Sequence, residues 1–127
     1  MTSEVEKAIA EIRHAFAGRM VEAEDEPQGG AYVIVDGVSI GAAYAPSVTW
    51  FGFLISFQYP HADVYPHFID PQVKRVDGGS LASGFSGPTD WRGRPVIQVS
   101  RRSNRWDPTV DTAVAKLLKV IEWVKEQ

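Results

Sequence analysis

Apolar residues at Val5, Ile9, Ile12 and Phe16 recur in steps of four, three and four. That spacing predicts a helix over residues 3–17 with one apolar face. Ser3 and Glu6 have capping-box spacing at its start, and Gly18 is a natural stop. The period then changes to two. Residues 20–24 form a short alternating strand, EPQGG turns the chain, and residues 31–40 form a second strand, bent or broken at Asp36-Gly37. Residues 47–59 (SVTWFGFLISFQY) form the third and most apolar strand. Phe51, Phe53, Ile55 and Phe57 make one wholly apolar face, whereas Trp50, Gly52, Leu54, Ser56 and Gln58 make a mixed one. Residues 64–69 form a fourth strand, ending at Pro71.

Residues 77–95 are rich in Gly, Ser and Pro and are expected to be a long irregular loop. Residues 95–100 (PVIQVS) are a short extended piece, and 101–105 a polar connector. A last helix is predicted over residues 109–125, opened by an Asp107 cap and Pro108. Val110, Val114, Leu117, Leu118, Ile121 and Val124 line its apolar face. The predicted architecture is α+β, a four-stranded antiparallel meander with helices on one face, in one domain spanning residues 1–127.

Composition narrows the function. The chain is 44% apolar and 23% charged, as expected for a folded soluble protein. The acidic, polar N-terminus lacks a secretory signal pattern and no apolar run reaches the roughly 20 residues of a membrane span, so a cytoplasmic location without a membrane partner is expected. There is no cysteine, which excludes disulfides and thiolate chemistry. The net charge of -3 argues against a nucleic-acid partner. Yet Arg92, Arg94, Arg101, Arg102 and Arg105 fall in a stretch without an acid between 92 and 105, with Trp91 and Trp106 flanking it. Trp91 and these five arginines are the candidate partner-binding residues. Trp106 is better explained as an anchor for the last helix.

FQYPHADVYPHFIDP (57–71) gathers two histidines and two aspartates. His61, Asp63, His67 and Asp70 are metal-ligand types. They match no ligand spacing, however, and His67 and Asp70 point to opposite sides of an extended strand, so turn and packing roles account for them better. Ser80, Ser83, Ser86 and Ser100 are candidate nucleophiles without a G-x-S-x-G or a nearby histidine. A metal-dependent or serine hydrolase is therefore an alternative, as is a structural subunit of an assembly. The P-loop and G-x-G-x-x-G patterns are absent, and no cofactor or metal is expected.

The order of elements, with FQYP closing strand three, Tyr65-Pro66 opening strand four and Trp106-Asp107-Pro108 opening the last helix, resembles the ubiquitin-conjugating enzyme superfamily, including its inactive RWD-like variants and divergent bacterial members. In that superfamily the catalytic cysteine commonly lies eight residues before the tryptophan of a Trp-Ser-Pro-like turn. The resemblance places that position at Gln98, which cannot form a thioester. The supporting His-Pro-Asn segment is not visible, and GFSGPTDWRG stands in its region. Two later helices common in the superfamily are not expected after residue 125. The resemblance implies a non-catalytic binding module, an adaptor or scaffold for a protein partner, with a ubiquitin-like protein as the candidate. Proline lacks the N–H a central ladder needs, so Pro60 ends one strand and Pro66 biases Tyr65 to an extended entry into the next.

Overall fold

A computed structural model describes residues 1–127. The elements run α1 (Ser3–Ala15), β1 (Val21–Asp25), β2 (Ala31–Ser39), β3 (Tyr44–Ala45), β4 (Val48–Ile55), β5 (His67–Ile69), β6 (Lys74–Arg75), β7 (Phe85–Trp91), β8 (Arg94–Val99) and α2 (Ala113–Glu126). The fold is α+β with an antiparallel sheet. Its order β1-β2-β4-β5-β8-β7 contains the predicted meander and extends it. β3 and β6 pair with each other outside that sheet. No helix is long and apolar enough to cross a membrane.

The predicted four strands become six in the main sheet because residues 77–95 are not an irregular loop throughout. Residues 85–91 pair with β8 as an edge strand, interrupted between Ser86 and Thr89. Gly87 has φ +121 there, and a side chain on it would meet Thr89 N at 2.9 Å and Val96 O at 3.0 Å. An exposed edge strand needs little apolar sequence, which is why its composition resembles a loop.

The core lies between the helices and one sheet face. Val33 pairs with Phe53 and Val35 with Phe51, all fully buried. The register shifts between Val35 and Val38, at the predicted Asp36-Gly37 break, where Gly37 has φ +68. This one-residue bulge brings Val38 onto the same face as Val35 despite their odd spacing. Strand β4 stops at Ile55, so Phe57 falls in a turn and is 44% exposed, contrary to the fully apolar face predicted for 47–59. The fourth strand is likewise shorter than 64–69, since Val64 and Tyr65 lead into it.

Both helix starts differ from prediction. Thr2, not Ser3, caps α1, its Oγ1 accepting from Val5 N–H at 3.1 Å. Asp107 caps a single turn instead of the last helix. Its Oδ1 accepts from Thr109 N–H at 2.9 Å, while Asp111 Oδ2 accepts from Asp107 N–H at 2.8 Å. That reciprocal closure ends the turn, Thr112 is extended, and its Oγ1 caps α2 by accepting from Ala115 N–H. Val110 is therefore 73% exposed, and Leu118 also faces outward. The buried stripe of α2 is Ala113, Lys116, Leu117, Val120, Ile121 and Val124.

Candidate functional site

The turn between β4 and β5 is where the rest of the chain is tied down. Tyr59 is buried, and its phenol oxygen accepts from Ala113 N–H at 3.0 Å, at the first residue of α2. Trp106 Nε1 donates to Pro60 O at 2.7 Å, with its ring edge-on to Tyr59. Trp106 thus anchors the connector before α2 onto this turn. Asp63 completes the attachment. It accepts from Lys116 Nζ at 3.0 and 3.1 Å, from Ser103 N–H at 2.9 Å and from Ser103 Oγ at 3.2 Å. Lys116 Nζ also donates to Ser103 Oγ at 2.7 Å. Burial alone would raise the Asp63 pKa, but the Ser103 N–H and the Lys116 ammonium outweigh it and hold the carboxyl below its ordinary value.

Gln98 sits on β8, flanked by Phe68 of β5 and Ser86 of β7. It is half-buried, and its Nε2 donates to Ser100 Oγ at 3.0 Å. The closeness of Ser100 and then Arg102 holds the Tyr65 phenol below the ordinary tyrosine range, and the Arg102 guanidinium lies 4.5 Å from the Tyr65 ring centre. Gln98, Ser100, Tyr65 and Arg102 thus form one polar group at the end of β8. Of the serines, only Ser100 belongs to it.

The metal-ligand types do not converge. His67 is completely buried on the core face beside Phe53, ring centres 5.1 Å apart, with neither nitrogen hydrogen-bonded. Desolvation lowers its pKa to about 3, helped by Lys116 and opposed by Asp63. Asp63 is engaged by Lys116, Asp70 accepts from Gln72 N–H, and His61 is exposed on the turn. No group of three or more His, Asp or Glu side chains is placed to share a metal ion.

The candidate partner-binding set divides in two. Trp91 lies across the sheet face away from the helices, stacked on Phe68 at 4.7 Å. Its ring occupies the space above Gly52, where a side chain would meet it at 2.5 Å. Arg92 pairs with Glu24 at 2.8 Å and lies over Tyr32, and Arg94 lies over Trp50. At the other end of β8, roughly 15 Å along the strand by its rise per residue, Arg101, Arg102 and Arg105 border α2. Sequence reasoning missed the Lys116–Asp63 pair. A lysine within an otherwise apolar stripe at 113, 116, 117, 120, 121 and 124 was the signal for it.

Residues 10–127 match the family described as prokaryotic E2 family E. No curated protein and no solved structure matches the chain.

Proposed function

Because the chain belongs to prokaryotic E2 family E, we propose that it acts as a non-catalytic, RWD-like binding module of a ubiquitin-like conjugation system, an adaptor whose partner is a ubiquitin-like protein or a component that handles one. One observation carries this reading: glutamine stands where the superfamily's cysteine is expected, and no cysteine occurs elsewhere in the chain. A thioester needs a thiolate, and the Gln98 amide already donates to Ser100 Oγ. The lone asparagine, Asn104, lies beyond the end of β8 and makes no hydrogen bond to Gln98, whose side chain bonds Ser100 instead, which argues against its serving as the amide donor that supports transfer in the superfamily.

The tied-down turn supports a binding role. Tyr59, Asp63, Trp106 and Lys116 hold the 101–107 connector to the sheet and to α2. A partner would meet a preorganised surface there and lose less freedom on binding. The test is calorimetry against a panel of ubiquitin-like proteins and activating enzymes, run with a charging assay of the wild-type chain. Saturable binding without an adduct is expected. A wild-type adduct that transfers its cargo to an amine would overturn the non-catalytic reading, and the absence of binding across that panel would overturn the adaptor reading.

A further inference from the structure

The end of α2 and the 101–105 connector enclose a concavity of about 430 Å³. Arg101, Arg102, Arg105, Lys119, Asn104 and Trp123 are among the residues that line it. Lys116 also lines it but is neutralised by Asp63. Asp111 is the one acid in the lining, and its Oδ2 is engaged by Asp107 N–H. Arg101, Arg102, Arg105 and Lys119 take part in none of the ion pairs of the structure. Four cations without a carboxylate partner therefore share one hollow in a chain whose net charge is -3. Such self-repulsion raises the free energy of the empty state and is relieved by a bound anion.

Two of the guanidiniums are held from behind. Arg101 lies 4.7 Å from the Trp123 ring centre and Arg102 4.5 Å from that of Tyr65. A guanidinium resting on an aromatic face keeps its edge N–H groups available, and those edges suit the oxygens of a phosphate. Only two lining residues, Val120 and Trp123, are apolar, which disfavours an apolar ligand. A single carboxylate would leave most of the positive charge unmatched, whereas linked phosphates place several charges within a compact volume. We infer that this hollow is a binding site for a soluble phosphate-bearing small molecule, held through its phosphates by Arg101, Arg102, Arg105 and Lys119. The hollow shares the 101–105 connector with the proposed partner surface, but it lacks Gln98 and its anion chemistry is independent of the adaptor reading, so pyrophosphate binding and partner binding can each fail without the other.

The experiment is an NMR titration of the full chain with sodium pyrophosphate, against sodium chloride at matched ionic strength. Saturating shifts confined to residues 101–105 and 116–123 are expected. Arg105→Gln should weaken pyrophosphate about tenfold, as loss of one charge-assisted hydrogen bond does. Lys119→Gln, on the exposed side of α2, serves as a second variant should the first fail to fold. Lys7→Gln, on α1, should leave the affinity unchanged. Shifts reproduced by chloride, or equal weakening by Lys7→Gln and both pocket variants, would overturn the site. An octaglutamate peptide binding as tightly as pyrophosphate would overturn its assignment to phosphate and make the hollow a docking patch for acidic protein.

Discussion

The phenol oxygen of Tyr59 accepts the backbone N–H of Ala113 at 3.0 Å, joining the turn that follows β4 to the first residue of α2 across 54 residues of chain. A helix begins with N–H groups that have no intrahelical acceptor. Here the Tyr59 side chain, from the turn after β4, supplies an acceptor for one of them, and Thr112 supplies an acceptor for another. The Tyr59-Pro60 pair lies in the turn past Ile55, so it does not end β4 as expected from sequence; it positions the helix that covers the core.

Tyr59→Phe removes that acceptor while keeping the ring. It leaves a buried N–H unpaired and should cost about 1–3 kcal/mol. Urea denaturation measures the loss, and amide exchange at Ala113 should accelerate with it. Unchanged exchange at Ala113 would show that the bond does not hold the helix start.

Phe53 is fully buried between Val33 and His67 in the sheet register. Phe53→Ala should cost about 3–5 kcal/mol through lost burial and the cavity left behind. A loss below about 0.5 kcal/mol in equilibrium unfolding, the scale of ordinary surface substitutions, would contradict the strand facing.

Lys116 is 6% exposed, and Asp63 is its only carboxylate partner. Asp63→Ala leaves that ammonium buried and uncompensated, and should cost about 3–5 kcal/mol. Adding Lys116→Met should recover much of the loss, since the buried charge is gone. A double variant no more stable than Asp63→Ala would place the cost in the Ser103 bonds instead.

Stability should also fall in acid, with His67 as the main cause. Its folded pKa is about 3, against an ordinary 6.5 when unfolded. The unfolded chain thus binds the proton first. Stability is complete above pH 6.5 and declines as pH drops toward 3. The slope approaches about 1.4 kcal/mol per pH unit, or roughly 3 kcal/mol by pH 4. Asp63, with its folded pKa depressed, adds a further loss below about pH 4. Urea midpoints from pH 4 to 7 measure this slope, and His67→Leu should flatten it. A wild-type midpoint constant over that range would mean that His67 is not held neutral.

The strand order was legible where burial imposes an alternating pattern. Phe51, Phe53 and Ile55 declare their face, and Asp36-Gly37 marks the bulge where it occurs. β7 was hidden because an exposed edge strand of Phe-Ser-Gly-Pro-Thr-Asp-Trp has no apolar face to declare. The start of α2 was misplaced because Asp107-Pro108 is a sound opening for any turn, and only the closure by Asp111 shows that this one goes no further. For the site, Gln98 follows only from the resemblance, counted back from Trp106, and the arginine run reads as one patch until β8 is known to separate its two ends. The Lys116–Asp63 pair depends on contact between residues 53 apart, which local pattern does not report.

The proposed vacant position at Gln98 offers the sharpest test. Gln98→Cys would place a thiol on β8 between Phe68 and Ser86, within reach of the group formed by Ser100, Tyr65 and Arg102. The Arg102 cation favours the thiolate, so the variant should react with a small thiol reagent. Efficient charging by an activating enzyme demands more. The attacking sulfur and the developing oxyanion must both meet positioned groups, and removing one such donor typically costs about 100- to 1,000-fold. The only asparagine of the chain lies beyond the end of β8, and β8 is paired on both sides, which limits the approach of a peptide tail. Maleimide labelling of the Gln98→Cys variant, with little or no thioester on a non-reducing gel, is the expected result. A strong reducible band would mean that the site is intact apart from its nucleophile. A hydroxylamine-sensitive ester on the wild-type chain, lost in Ser100→Ala, would mean that this protein is an enzyme after all.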